Sequence, residues 1–194
     1  MRQDILDSLE GIMPFALMKA EDLGLLSGEV MPGVNELSGY AEDVCMKIHD
    51  GIIEALGEDI ASYEGFKFYE TVACYCFLTG MGAEKMWRVN RDVMLNTGIF
   101  EFLSEPMGVD GMDRYMVRIT DWDTNSEVFK VFIQNANLLA GHCINEAYRC
   151  VEGFFNEDSA HNYSVMECAA MEVCKAVFNI GIAIETERLD SRMS

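Results

Sequence analysis

The amino-acid sequence predicts a helix-rich α+β domain, with about six helices and one small antiparallel β-hairpin near residues 99–122; a mostly-α bundle is the alternative. Two amphipathic stripes, over residues 36–56 and 127–155, indicate long helices. A nearly all-apolar run from Cys168 to Ile184 indicates a buried segment. The alternate positions of Tyr115, Val117 and Ile119 are typical of a β-strand.

The first predicted helix runs from Asp4 to about Ala20, because apolar residues recur there at helical spacing, and Pro14 predicts a kink. Glycine and proline residues between Gly24 and Gly33 then indicate a loop. We therefore predict an N-terminal helix and loop over residues 1–34 and a single helix-rich domain over residues 35–194.

The middle of the chain predicts further helices. Asn35 is a suitable N-cap for the helix Glu36–Leu56. A third helix is predicted over residues 65–79, and the triplet Gly80-Met81-Gly82 predicts a break before another helix at residues 83–95. The hairpin at residues 99–122 follows, with turns at its glycine and proline residues.

Two capping boxes mark the predicted C-terminal helices. Thr124 with Glu127 begins the long helix that ends near Phe155, and Ser164 with Glu167 precedes the apolar run, for which a helix is favoured over two strands. We expect this run to pack between the two longest helices, over residues 36–56 and 127–155. Similar tetrapeptides at residues 58–61 and 157–160 follow long helices, but their flanking residues do not align, and no internal repeat is inferred.

Composition restricts the classes of function. The 194 residues include 33 acidic and 14 basic side chains, a net charge of −19, and half of them are apolar. A disordered acidic tail is excluded by the apolar half, and nucleic-acid binding is disfavoured by the charge. The chain has no apolar signal segment and no run long enough to span a membrane. Its seven cysteines are odd in number, so we expect reduced thiols and a cytoplasmic protein. The apolar excess favours a homo-oligomer, with a homodimer as the expected form.

Cys45 and His49 are the candidate metal ligands. They lie one helical turn apart, and Cys74-x-Cys76 offers two more soft ligands. On a helical wheel His49 borders the apolar stripe and Asp50 points to solvent. Packing is the alternative interpretation of all seven cysteines, because cysteine is commonly buried.

The candidate ligand-binding residues are Arg88, Arg91, Cys143 and Cys168. The arginines belong to a basic group, with Lys85, that suits a carboxylate or phosphate. The cysteines lie in the apolar stripe of the long helix and at the start of the apolar run, and the fourteen methionines suit an adaptable apolar pocket. No complete catalytic motif is present, and the sequence identifies no cofactor.

The C-terminal half resembles the 4-vinyl-reductase-type domain. The resemblance rests on the order of the predicted hairpin, the long helix carrying Cys143 and Gly153, the pair Glu167-Cys168, and Phe178-x-Ile180 ten residues later. Glu172 stands where the family has a turn glycine, and Ala176 where it has a second cysteine. The resemblance implies a domain that binds or senses a small molecule in an apolar pocket, with Phe178 and Ile180 on a strand.

The expected function is therefore non-catalytic binding or sensing of a small apolar or mixed ligand in a Met- and Cys-rich pocket, between the two long helices and the hairpin. Two alternatives stay open. One is a metal-dependent enzyme that uses Cys45, His49 and neighbouring carboxylates. The other is an acidic chaperone-like or inhibitor protein that binds a basic partner through its surface.

Overall fold

A computed structural model describes residues 2–27, 36–56, 65–99, 123 and 125–191 of the chain. The helices of this described part, in chain order, are α1 (Arg2–Ser8), α2 (Ile12–Asp22), α3 (Ala41–Leu56), α4 (Gly65–Thr97), α5 (Glu127–Val151) and α6 (Ser159–Ser191). Short 3₁₀ turns, Glu36–Tyr40 and Glu152–Phe154, precede α3 and follow α5. None of the helices in the described part has the length and apolarity needed to span a bilayer.

The α+β prediction is wrong, and the mostly-α bundle fits. The described residues are helical and contain no strand or sheet. Of the predicted hairpin, Ile99 is helical and residues 100–122 lie outside the described part. Alternation of apolar and polar residues predicts a strand only if another strand is present to form hydrogen bonds with it. The described elements include no such strand.

The first predicted helix is two helices. The chain turns between α1 and α2, where Ile12 N donates to Leu9 O at 2.9 Å. Pro14 does not kink α2, because it lies in the first turn, where backbone amides have no partner within the helix.

The predicted break at the glycine triplet is also wrong, since α4 continues through it and departs from helical geometry at Asn90 instead. A Cβ atom on Gly80 would lie 2.1 Å from the carbonyl oxygen of Phe178 in α6, and one on Gly181 would lie 2.0 Å from that of Phe77 in α4. The glycines therefore allow the two helices to cross with their backbones in contact.

Helix α6 is the centre of the bundle, as the sequence predicts for its apolar run. It contacts each of the other five helices in the described part, and residues 176–178 and 180–185 are buried. It begins earlier than the capping box predicts, at Ser159, where the Asp158 carboxylate accepts a hydrogen bond from Ala160 N at 3.0 Å. The N-cap of α5 is likewise Ser126 and not Thr124, because the Ser126 hydroxyl accepts from Phe129 N at 3.1 Å.

The structure contains an internal repeat that the sequence does not reveal. The helix pair α3 and α4 corresponds to α5 and α6, and α4 and α6 each have 33 residues. One constant spacing along the chain relates three residues of α4 to three of α6: Phe77 to Phe178, Gly80 to Gly181, and the buried Glu84 to the buried Glu185. The two glycine contacts are reciprocal, as in an interface between two copies related by a twofold axis.

The first helices of the two pairs repeat as well. Five buried positions of the α3 segment match buried positions of α5, namely Leu37/Ala136, Ala41/Ala140, Val44/Cys143, Cys45/Ile144 and Ile48/Ala147, whereas the buried His49 matches the partly buried Tyr148. The packing pattern of the two halves is thus repeated although their side chains differ.

Candidate functional site

A cleft of about 400 Å³ lies between α1, α3 and the first half of α6. This volume is within the range of small-molecule sites. The cleft is lined by Arg2, Ile5, Glu42, Met46, His49, Asp50, His161, Ser164, Val165, Glu167, Cys168, Met171, Glu172 and Lys175.

Helical periodicity places these side chains on common faces. Glu42, Met46 and His49 follow one another at intervals of four and three residues along α3. The residues from α6 recur at the same intervals from His161 to Lys175. Helix α1 covers one end of the cleft, because the buried Ile5 anchors it to the bundle.

His49 is the buried polar residue of the cleft, with only 4% of its surface exposed. Its Nδ1 atom lies 3.0 Å from the Oδ1 atom of Asp50, whose side chain is exposed. Because a carboxylate only accepts, we assign a proton to Nδ1, which leaves a lone pair on Nε2 when the ring is neutral. The sequence pattern correctly places Asp50 toward solvent but does not reveal this bond.

The Nε2 atom of His49 is buried and has no hydrogen-bond partner among the described residues. The ring is held by Phe68, edge to face at 5.6 Å, and by Tyr69, stacked at 6.3 Å. A buried polar atom without a partner costs about 1–3 kcal/mol, so Nε2 is an unused acceptor in a residue that lines the cleft.

The Tyr69 hydroxyl is a second buried polar atom; it makes no hydrogen bond of good geometry with the described residues, although Tyr163 is close enough to affect its pKa. Burial raises the pKa of this phenol, and Tyr163 and Glu167 raise it further. The hydroxyl therefore stays protonated at neutral pH and can still donate a hydrogen bond. Its ring supports His49 from the side of α4.

The cleft has more negative than positive side chains. Its described lining includes four carboxylates and two cations. Lys175 pairs with Glu172 at 2.6 Å, and Asp50 contacts His49, whereas Glu42 and Glu167 form no ion pair in the described part of the chain. The site is therefore net negative when His49 is neutral.

His161 and Cys168 complete the polar lining. His161 Nε2 lies 3.0 Å from the carbonyl oxygen of Phe154, so it donates to the turn that precedes α6. Burial, and then the charge of Glu172, raises the pKa of the Cys168 thiol. Cys168 is therefore a neutral lining group at pH 7 and not an activated nucleophile.

Of the four predicted ligand-binding residues, Cys168 alone lines this cleft. Arg88 bonds Glu84 and Asp190, both at 2.7 Å, and Arg91 makes two bonds with the Glu36 carboxylate and lies 5.2 Å from the Trp87 ring. Cys143 is fully buried in α5, where burial raises its pKa to about 12.

The predicted metal ligands Cys45 and His49 face different neighbours. The Cys45 thiol lies in the core beside Cys76 and Cys174, and burial is the main cause of its raised pKa. His49 contacts Asp50 and the aromatic rings. Within the described residues, no group of three or more His, Cys, Asp or Glu side chains is arranged to hold a metal ion.

Most residues of this site are not predicted by the sequence. Ile5, Glu42, Met46, His161 and Met171 were not candidates. The available signal was the position of His49 at the border of an apolar stripe, because a histidine there can be buried by a neighbouring helix. That neighbour is α6, whose apolar run the sequence predicts to pack on this helix, but the cleft-lining residues before Cys168 lie outside that run.

Comparisons of the chain with family models, with curated proteins and with solved structures return no match. The resemblance to the 4-vinyl-reductase-type domain stays a prediction. Its residues Glu167, Cys168, Phe178 and Ile180 all lie in α6, so the strand that it implies for Phe178 and Ile180 is helix in this protein.

Proposed function

We propose that this protein binds a small molecule, without catalysing a reaction, in the cleft between α1, α3 and α6. The observation that carries the proposal is the His49 Nε2 atom, which is buried beside a cleft of about 400 Å³ and has no partner among the described residues. A ligand that donates a hydrogen bond would satisfy this acceptor and recover the cost of its burial.

The lining supports a ligand with mixed polar and apolar parts. Ile5, Met46, Val165 and Met171 contribute apolar surface, and methionine side chains adapt to irregular shapes. The carboxylates and histidines are the polar groups that would orient the ligand. The cleft includes Met46, Met171 and Cys168, and it lies between α1, α3 and α6 and not at the predicted position between the two long helices and the hairpin.

A thermal-shift screen of metabolites tests the proposal. A ligand present at about 100 times its Kd stabilises the folded protein by about 2.7 kcal/mol, which is a measurable rise in Tm. Ser164→Trp places a large ring in the cleft at an exposed position of α6, and Gln134→Trp places the same ring on the exposed face of α5.

We expect at least one compound to raise the Tm of the unmodified protein and of Gln134→Trp, but not that of Ser164→Trp. A shift that survives in Ser164→Trp would place the ligand elsewhere. A screen that produces no shift in the unmodified protein would remove the support for the proposal.

A further inference from the structure

The charge and hydrogen-bonding groups of the cleft specify a class of ligand, provided that the proposed function holds. Glu42 and Glu167 line the cleft without an ion pair in the described residues, and Asp50 contributes a third negative charge. Arg2 is the cation that remains once Lys175 is paired with Glu172. Carboxylates without partners attract a positive group, and the net charge of −19 strengthens this attraction at long range.

The hydrogen-bonding groups lead to the same class. His49 is 96% buried, and the assigned proton on Nδ1 makes Nε2 an acceptor, so the missing partner is a donor. An ammonium group supplies three N–H donors and a positive charge, and it has no lone pair to place against the carboxylates. An ionised carboxylate has no donor for Nε2, and both a carboxylate and a phosphate would be repelled by Glu42, Asp50 and Glu167.

The apolar side chains limit the rest of the ligand. Ile5 of α1, Met46 of α3 and Val165 and Met171 of α6 surround the polar groups. We infer that the cleft binds an organic ammonium ion, with its N–H directed to His49, its charge balanced by Glu42 and Glu167, and a compact apolar body against these side chains. A neutral alcohol would satisfy His49 but would leave the carboxylates unneutralised.

The test compares three probes of nearly equal size: hexylamine, hexan-1-ol and hexanoate. Protein labelled with ¹³C at the methionine methyl groups reports binding by NMR, because Met46 and Met171 line the cleft and the fully buried Met94 of α4 does not. Variants Met46→Leu and Met171→Leu assign the two signals. We expect hexylamine to shift both signals, at least about tenfold more tightly than hexanol, with no shift from hexanoate.

Two variants test the named contacts. His49→Phe keeps a ring against Phe68 and Tyr69 but removes the acceptor, and Glu167→Gln removes a charge at a partly exposed position that tolerates the change. Glu167→Gln is expected to weaken hexylamine binding about fivefold or more and to change hexanol binding less than twofold, whereas His49→Phe is expected to weaken the binding of both, because hexanol also donates to Nε2. Glu152→Gln, on the exposed turn after α5, is the charge-matched control and is expected to change neither.

The outcomes separate this inference from the proposed function. Binding of hexanol or hexanoate at Met46 and Met171, as tight as that of hexylamine, would overturn the ammonium assignment and leave the cleft as a ligand site. Unchanged hexylamine binding in Glu167→Gln and His49→Phe would also overturn it. The proposed function fails only if the metabolite screen finds no ligand for the cleft either.

Discussion

At the scale of single residues, burial keeps most of the thiols protonated. Cys45, Cys74, Cys76, Cys143 and Cys174 are buried, and Cys150 and Cys168 are partly exposed. Burial raises the pKa of Cys74 and of Cys143 to about 12, and that of Cys76 well above its usual value. Since the thiolate is the reactive form, these groups act as small apolar side chains.

We therefore predict that iodoacetamide at neutral pH modifies Cys150 and Cys168 before any other cysteine of the native protein. The five buried cysteines should react only after unfolding in guanidinium chloride. Peptide mass spectrometry of timed samples measures the order. Alkylation of Cys76 or Cys174 at the rate of Cys168 would contradict the packing described for α4 and α6.

The buried ion pair between Glu185 and Arg188 in α6 is a second feature at the scale of single residues. Glu185 is fully buried, and its carboxylate accepts hydrogen bonds from Nε and Nη2 of Arg188. Removing one member of such a pair leaves a buried charge without compensation. We predict that Arg188→Met lowers the free energy of unfolding by about 3–5 kcal/mol, as measured by urea denaturation.

The matched control for this substitution is Lys130→Met. Lys130 pairs with Glu127 on the exposed surface of α5, at 2.6 Å. Exposed pairs contribute little, so the change should be within about 0.5 kcal/mol. Equal effects of the two substitutions would mean that Glu185 is not buried as the structure shows.

Single residues also show what a sequence can predict about the site. The border position of His49 and the outward direction of Asp50 follow from the periodicity of one helix. The sequence does not show that Nε2 lacks a hydrogen-bond partner, because this depends on how α3, α4 and α6 pack together. Arg88 and Arg91 were selected as a local group of positive charge, but distant residues, Asp190 and Glu36, pair with them.

At the scale of elements, the crossing of α4 and α6 depends on two glycines. Helix propensity alone predicts that Gly→Ala stabilises a helix by about 1 kcal/mol. At Gly80 and Gly181 the added Cβ would instead overlap a backbone carbonyl oxygen of the other helix. We predict that Gly80→Ala and Gly181→Ala each lower the free energy of unfolding by about 2 kcal/mol or more.

Gly51 is the control for these substitutions, because it lies in α3 and a Cβ there would meet nothing within 4 Å. Gly51→Ala is expected to raise the free energy of unfolding by about 0.5–1 kcal/mol. Thermal and urea denaturation of the three variants measure the difference in sign. Stabilisation by Gly80→Ala would contradict the close crossing.

The elements that the sequence predicts well are those with a sustained apolar stripe. Helices α3 and α5 lie within their predicted ranges, with 3₁₀ turns at residues 36–40 and 152–154, and the apolar run is helical and central. The sequence wrongly predicts a break at the glycine triplet, because it does not distinguish a glycine that ends a helix from one that allows a second helix to pack closely. The sequence predicts residues 36–56 and 127–155 as the longest helices only because its patterns divide α4 and shorten α6.

At the scale of the whole molecule, the buried ionisable groups make the free energy of unfolding depend on pH in the alkaline range. A thiol whose pKa is raised by folding keeps its proton above pH 9, whereas the same thiol in the unfolded chain loses it. The unfolded state then binds fewer protons, so stability falls as the pH rises from about 9 toward 12. Tyr69, whose pKa burial also raises, acts in the same direction.

We predict that the free energy of unfolding decreases above pH 9, with each such thiol contributing up to about 1.4 kcal/mol per pH unit. Urea denaturation at pH 8, 9 and 10 measures the slope. Cys74→Ala, which removes one thiol, should make the slope shallower, while Cys150→Ala, at a partly exposed position, should change it less. Identical slopes for all three proteins would show that the thiols do not titrate with unfolding.

The internal repeat does not extend to the polar groups of the cleft. The spacing that matches α3 to α5 places Tyr148 and Arg149 where α3 has His49 and Asp50. Tyr148 packs on Phe155 at 4.9 Å, and Arg149 pairs with Glu146. The two halves thus repeat the packing but not the polar groups, and the unpartnered histidine belongs to one half.

Native mass spectrometry of gently purified protein tests the binding cleft most directly. We predict a mass above that of the bare chain for the unmodified protein and for Gln134→Trp, and the bare mass for Ser164→Trp. The same spectra report whether the expected homo-oligomer forms. Bare masses for all three folded proteins, with no thermal shift from any compound in the metabolite screen, would contradict the account.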